Sequence, residues 1–420
     1  MEYDVVVVGG GPAGMMAAGR AAELGARVVL LEKNPTLGKK LLITGGGRCN
    51  VTNAEFDEHI LLGKFKENKK FLFSPFSRFT VQQTLDFFTS RNMPIKIEAQ
   101  KRAFPVSNSA QSVWDVLVAY MNKHNVHVMT NSPADGFEFE GGTVTGIRLK
   151  NKTIVRAATY IIATGGKSRP TTGSTGEGFQ WLKEIGHTII EPDPALVPVT
   201  IQEAWVHKLS GLSLKDVKLT AFQNTKKQVS NKGSMLFTHF GISGPLVLNM
   251  SRDISELLKY GEVTLAIDLA PQTDIGALDK ELLASLSEHT NKKIKNSLGK
   301  FIAPTLAPIL LELAQIDPET FVHSIHREER LRITKLLKHL PMTVSGILGP
   351  EKAIVTSGGV ELSEIDFQTM QSKIAPNLYI IGDVLNIDRP SGGYSLQLCW
   401  TTGHVAGTHA AKSSVSSIRI

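Results

Sequence analysis

"YDVVVVGGGPAGMMAAGRAAELGARVVLLEK", residues 3–33, opens with four valines in succession after Asp4. Such a β-branched run is too short for a helix and suits a strand buried on both faces. It stops at Gly9. Pro12 then stands where a first helical turn does not need an N–H, and Ala- and Met-rich sequence continues to Gly25, a residue type that closes helices. "ARVVLLE" supplies a second strand, so the stretch reads strand, helix, strand, with Gly9, Gly11 and Gly14 in GxGxxG spacing at the first turn. In that motif Gly9 permits the tight turn, Gly11 lets main chain touch a diphosphate, and Gly14 lets helix and strand pack closely. Pro12 and Ala13 begin a helix whose N-terminal donors and partial positive charge suit the same anion. Glu32, ending the second strand, is placed to accept hydrogen bonds from ribose hydroxyls and to repel a 2′-phosphate. The ligand expected here is a dinucleotide, FAD or NAD.

The chain is long enough for about two or three domains. With 42% apolar and 20% charged residues over 420 positions it reads as an ordinary globular protein. Net charge is +7 and the sequence pI about 9.2, but the lysines are spread over many short segments, which argues against nucleic acid as a partner. Cys49 and Cys399, the two cysteines, are too few for a disulfide framework. "MEYDVVVVGG" lacks the features of a signal peptide, and no apolar run reaches membrane-spanning length. The expectation is a cytoplasmic protein without membrane contact that acts on a small molecule.

The far end of the chain separates FAD from NAD. "NLYIIGDVLN" gives a short strand, Leu378 to Ile381, ending in Gly382 and Asp383, whose carboxylate can hold a sugar-alcohol hydroxyl. Gly392, Gly393, Tyr394 and Ser395 then precede a helix-like stretch containing Leu396 and Gln397. A second helix N-terminus beside the pyrimidine end of a flavin would stabilise negative charge on the reduced ring, a need that nicotinamide does not have.

The pairing of "VVVVGGGPAG" with "LYIIGDV" is similar to the two-part FAD domains of the glutathione-reductase-like superfamily. "IIATGG", containing Ala163, Thr164, Gly165 and Gly166, followed by "TGSTGEG" at 172–178, resembles the fumarate-reductase branch. "GKKLLITGGGRCNVTN", "MLFTHFGISGP", "VTSGGV" and "SGGYSLQLCWTTG" together resemble the bacterial family of NAD(FAD)-utilising dehydrogenases, which includes aminoacetone-oxidase-like and BaiN/RdsA-type flavoproteins. The resemblance runs from residue 5 to about 407 and implies FAD. It implies that Lys33, Lys40 and main chain at Ala134 lie along the cofactor, Ala134 facing the adenine. It also implies that the 41–53 segment passes the cofactor, so that Gly45, Gly46 and Gly47 let backbone lie against it. Arg48 and Asn50 would hydrogen-bond flavin or substrate there.

Two more side chains bear on chemistry. Cys49 beside Arg48 invites a thiolate reading, yet it has no CxxC partner and an isolated cysteine is more often a small buried apolar residue; no redox-active thiol pair and no metal site is assigned. His239 in "LFTHFGISGP" is a candidate proton donor, set against a histidine held by backbone at a strand end. Catalytic candidates are therefore Arg48, Asn50 and His239. The basic residues of "HREERLRITKLLKHL" are interleaved with Glu328 and Glu329 and read as a solvated helical face.

Prolines 192, 194 and 198 in "EPDPALVPVT" exclude helix and central strand and mark an exit from the first domain. The fold class expected is α/β: a discontinuous Rossmann-like FAD-binding domain, residues 1–190 and 342–420, with an inserted β-plus-α substrate or cap domain at 191–341. The β-rich part of the insert spans about 199–268 and the helical part about 273–340. No second strand-GxGxxG-helix unit is visible, so a nicotinamide, NADH or NADPH, would bind transiently as electron donor. The leading expectation is an FAD-dependent oxidoreductase passing hydride through flavin N5. Competing ones are an FAD oxidase of small amines using oxygen and a non-catalytic or RNA-associated FAD-binding protein.

Overall fold

The computed structural model describes residues 3–416, which form two compact units: residues 3–194 with 353–416, and residues 195–352. In the first unit the four valines form β1 (Val5–Val8), followed by α1 (Pro12–Glu23) and β2 (Val28–Leu31). Further strands are β3 (His127–Met129), β4 (Thr159–Ile162), β5 (Ile365–Asp366), β6 (Gln371–Ser372) and β7 (Leu378–Ile380). They make one sheet in the order β5-β6-β7-β4-β1-β2-β3. β1 lies at the centre of the parallel part, paired on one side with β2 (Val6 opposite Val29) and on the other with β4 (Val6 opposite Tyr160). β7 extends the parallel array from β4, so strands more than 370 positions apart are joined through one intermediate.

One face of this sheet is covered by α1 and by α2 (Tyr394–Ser416), and these two helices lie backbone to backbone. The reason is two glycines one turn apart. A side-chain carbon at Gly403 would stand 2.5 Å from the Ala13 carbonyl oxygen, and one at Gly407 would stand 2.4 Å from that of Ala17. Ala13, Ala17 and Ala21 complete a small-residue seam that lets dispersion contacts form between main chains. The proline-rich segment forms a strand, Ile189–Ala195, paired among the described residues with Val355–Val360; strand prolines lack a ladder donor and are tolerated at such an edge.

The second unit is a closed six-stranded barrel, in the order Val199–Ile201, Gly241–Ser243, Lys226–Thr238, Ser213–Gln223, Thr264–Asp268 and Leu340–Ile347. The last strand closes on the first, with Val199 opposite Ile347. Thus Leu340–Ile347, at which the sequence reading returned the chain to the FAD domain, belongs to the barrel, because its partners Thr264 and Leu265 lie within the insert. Helices Ile275–Ser287, Ala307–Leu313 and Arg327–Lys338 share its core through Leu282, Leu310 and Leu337. The basic helix 327–338 keeps Arg327, Arg332 and Lys335 exposed, as expected of a solvated face, yet several of its basic residues also find partners within the protein. Arg330 makes a two-pronged pair with Asp279 at 2.9 and 3.1 Å, Arg332 donates to the Ala314 carbonyl at 2.7 Å, and Lys338 pairs with Asp268 at 2.7 Å. Helical spacing reveals a face but not what covers it. No helix among the described residues is long and apolar enough to cross a membrane.

Gly403→Ala and Gly407→Ala are each expected to lower stability by about 1–3 kcal/mol in chemical denaturation, because an added carbon drives α2 off α1. Gly63→Ala, in a helix with open space around the position, is the control and should be neutral or slightly stabilising.

Candidate functional site

The three motif glycines do separate jobs. Gly9 has φ +107°, and a side-chain carbon there would lie 2.5 Å from the Ala163 carbonyl oxygen. One at Gly14 would lie 1.9 Å from the carbonyl oxygen of Gly9, so α1 can start only where it does if position 14 carries no side chain. Around Gly11, by contrast, the same construction meets nothing within 4 Å. Gly11 borders a cleft of roughly 1220 Å³, counting the space open to solvent, that lies wholly within the first unit.

That cleft is the candidate site. Its wall draws on remote segments: Val8 to Ala13, Leu31 to Asn34, Gly38 to Leu41 with Thr44, Ser132 and Ala134, Ala163 to Gly165, Thr172 to Glu177 with Trp181, Ile354 and Val355, Ile381 to Asp383, and Ser395, Leu396 and Cys399. Gly382, with φ +69°, brings the C-terminal segment to within 3.1 Å of the Ala13 side chain, measured from where its own side-chain carbon would stand.

The N-terminus of α1 faces the cleft with no side-chain cap and no acidic residue in its first turn. Some helices cap such ends with a side chain, as Thr80 and Asp274 do, and others, such as Pro245–Leu258, do not. Uncapped N–H groups and the positive helix end form an anion seat. Glu32 is buried and held rigidly: its carboxylate accepts from the N–H of Gly10 at 2.8 Å, from the N–H of Asn34 at 2.8 Å, and from the Asn34 side-chain amide at 2.7 Å. Lys33 is committed to the 172–177 loop, bonding Thr175 at 2.7 Å and Glu177 at 2.6 Å. Burial is the larger influence on Glu177 and opposes its charge, but Lys33 holds its carboxyl below the usual range.

A second charged group lies in the wall at Lys40 and Asp383, with the buried Arg389 bonded to Asp383. Lys40 donates to Ser168 Oγ at 2.5 Å and stands 3.8 Å from Asp383; burial lowers its pKa, against the opposing pull of Asp383. The Arg389 guanidinium is fully buried and donates to Asp383, to Ser395 Oγ at 3.0 Å and to the Ile387 carbonyl at 2.5 Å. Two cations thus attend one carboxylate. Thr164 Oγ, also in the wall, is buried with no hydrogen-bond partner. Leaving a hydroxyl so costs about 1–3 kcal/mol, and a ligand atom can satisfy it.

These features fit FAD: an anion seat beside an open Gly11, a fixed carboxylate for ribose, a polar cluster at the start of α2, and an unsatisfied hydroxyl between them. Of the residues expected to hold the cofactor, Gly9, Gly11, Pro12, Ala13, Glu32, Lys33, Lys40, Ala134, Ala163, Thr164, Gly165, Gly382, Asp383, Ser395 and Leu396 line the cleft. The others lie outside its lining. Gly14 packs the turn, and Gly166 and Gly393 press on Thr356 and on the Thr52 backbone. Gly392, also left-handed, has the Tyr394 ring 3.4 Å from its would-be side chain. Tyr394 packs edge-on to Phe65, and Gln397 is locked among Thr52, Thr84 and Thr401. Gly45, Gly46 and Gly47 form an exposed left-handed turn, φ +57°, +68° and +84°. Arg48 lies over the Phe104 ring and pairs with Glu98 at 2.5 Å and Asn108 at 2.6 Å. Asn50 Oδ1 is buried without a partner. His239 belongs to the second unit, edge-on to Phe240.

The thiols are inert in this setting. Cys49 is buried and its pKa is pushed up to about 12, burial outweighing a hydrogen bond with Thr44. Burial likewise pushes Cys399, which borders the cleft, up to about 12. Lining residues that the sequence reading did not single out include Asn34, Trp181 and Ile354, and the Asp383 in the wall is braced by Arg389. "RPSGGY" offered a hint, since an arginine directly before a proline-glycine turn is well placed to brace it.

Residues 3–409 match the family model described as HI0933-like protein Rossmann domain. The chain is 30% identical to a 3-dehydro-bile acid delta(4,6)-reductase of Clostridium scindens, over 97% of this chain and 98% of that one. It is 29% identical to a ribosomal RNA dihydrouridine synthase of Escherichia coli K12, over 98% of this chain and 100% of that one. Among solved structures, the 3-ketosteroid delta1-dehydrogenase of Sterolibacterium denitrificans superposes with a TM-score of 0.58 at 15% identity, covering 98% and 99% of the two chains; this likeness concerns the fold.

Gly11→Ala is expected to fold normally, since φ −80° suits any residue, yet to lose FAD affinity by more than tenfold; Gly14→Ala should fail to fold. Flavin absorbance of the purified variants, read beside their thermal melts, separates the two. Iodoacetamide at pH 8 should leave both cysteines of the native protein unmodified and alkylate both after unfolding, as counted by mass spectrometry.

Proposed function

The chain belongs to the HI0933-like family of FAD-binding Rossmann proteins and is an FAD-dependent oxidoreductase, and from that premise we propose that it reduces a carbon–carbon double bond conjugated to a carbonyl, with NADH or NADPH as electron donor. The observation that supports this reading is the cleft, whose wall joins the open Gly11 and the uncapped start of α1 to Asp383 and the unpartnered Thr164 hydroxyl. The substrate class comes from the two full-length relatives described above. Both are named for saturating a ring double bond near a carbonyl, one in a bile acid and the other in the uracil of ribosomal RNA.

In this reading Gly11 and the start of α1 hold the diphosphate, Glu32 the adenosine ribose, and Asp383 the ribityl chain. FAD supplies two-electron transfer between a hydride donor and a carbon acceptor. Arg389 fixes Asp383 and the first turn of α2, so both are ordered before the ligand arrives. The Lys40 ammonium balances negative charge on the bound group. The substrate takes up hydride at the carbon β to its carbonyl and a proton at the α carbon, while the nicotinamide is oxidised. Of the polar candidates, Asn50 is the strongest for holding a ring N–H, because its amide oxygen, an acceptor, has no partner; Arg48 is already paired with Glu98.

Anaerobic stopped-flow absorbance at the flavin band tests this. NADH or NADPH should bleach the band, a cyclic enone should restore it, and oxygen should restore it far more slowly. Amine-driven bleaching followed by fast reoxidation with peroxide release would establish an oxidase instead. Asn50→Ala should slow reoxidation by a cyclic enone that carries a ring N–H by about tenfold or more while leaving bleaching by the nicotinamide within about twofold.

A further inference from the structure

The loop at 172–177 is at once a wall of the cleft and part of the molecular surface. All of its residues border the cleft, and while Ser174 is buried, Thr175 is exposed to solvent. A single thickness of chain therefore stands between this part of the cleft and water. Gly173 and Gly176 are both left-handed, φ +105° and +84°, so the chain turns twice within four residues and presents Thr175 and Glu177 to the same partner.

That partner is Lys33, and with Asn34 it fastens the loop from the other side of the cleft. The Lys33 ammonium donates to Thr175 Oγ1 at 2.7 Å and to Glu177 Oε2 at 2.6 Å. The Asn34 amide donates to the Thr172 carbonyl at 3.1 Å and to Glu32 at 2.7 Å. Lys33 and Asn34 follow directly on Glu32, the residue placed to hold the adenosine ribose, so the loop is tied down over the adenosine half of the cleft. The Lys33 side chain is 27% exposed and that of Glu177 38%. An ion pair in such contact with water adds little to the stability of a fold and opens readily. Weak as a brace for folding, yet joining two sides of a ligand cleft, it suits a fastening that opens to admit a ligand and closes behind it.

We propose that Lys33 is a positioning residue that retains FAD by latching the 172–177 loop over its adenosine half, without touching the cofactor itself. The proposal rests on the reading that the cleft holds FAD, and it stands whichever substrate the flavin reduces. The test is the rate of FAD release from the full-length holoenzyme, followed as the rise in flavin fluorescence after dilution, with no electron donor or substrate present. Lys33→Ala should release FAD about three- to tenfold faster than the wild type, and Glu177→Gln faster by a similar factor. The double variant K33A/E177Q should release it no faster than either single variant, because one latch can be opened only once. Lys33→Arg, which keeps the charge, should stay within about twofold of the wild type. Unchanged thermal melts at saturating FAD show that the variants are folded. If Lys33 instead bonded the diphosphate, Glu177→Gln would free it for the cofactor, and release would be unchanged or slower; that result overturns the latch, as does a wild-type rate for Lys33→Ala or additive effects in the double variant. A full-length chain that takes up no FAD overturns the cofactor reading and the latch together, whereas normal FAD content with a wild-type release rate in Lys33→Ala overturns the latch alone.

Discussion

A missing side chain at Gly14 allows the Gly9 carbonyl to sit within 1.9 Å of where that side chain would begin, and the rest of the first unit depends on this contact. It fixes the angle at which β1 hands the chain to α1. That angle aims the N–H groups of α1 into the cleft and lays the other face of the helix against α2. The same device recurs at Gly403 and Gly407, where backbone again meets backbone. A fold assembled from such approaches has little tolerance at a few positions and ordinary tolerance elsewhere, since overpacking costs most where nothing can move aside.

The cleft wall is built so that the polypeptide alone does not satisfy it. The start of α1 is uncapped and Thr164 Oγ has no partner. Each is a cost the folded chain carries unless an anion with hydroxyl groups fills the space. Glu32 and Arg389 show the complementary principle. Their hydrogen bonds to Gly10, Asn34, Asp383 and Ser395 are made within the protein, so the groups facing the ligand are set before it binds.

Much of this was legible in the linear order of residues. The valine run, the glycine spacing and Glu32 identified β1, α1, β2 and the seat for a diphosphate, because each depends on neighbours within a few positions. The likeness at "IIATGG" and "LYIIGDV" brought β4 and β7 to the same site. The triple glycine was harder to place. Three glycines signal that side chains are not wanted, but Gly46 and Gly47 have open space around them and only Gly45 is pressed, by the Asn50 N–H at 3.2 Å. They serve a left-handed turn outside the cleft lining. Cys49 was ambiguous beside Arg48, and the ambiguity was resolved by burial, which no local pattern reports.

The sequence by itself determined the parts whose physics is local: strand and helix periods, the turn that needs glycine, and the residue types able to receive a dinucleotide. Tertiary structure alone decided which charges meet. Arg389 with Asp383, Lys33 with Glu177, Arg330 with Asp279 and Lys218 against Lys232 are pairings set by the folded path of the chain. Electrostatic and packing energies depend on distance in space and on exclusion of water, and neither is written in the spacing of residues along the chain.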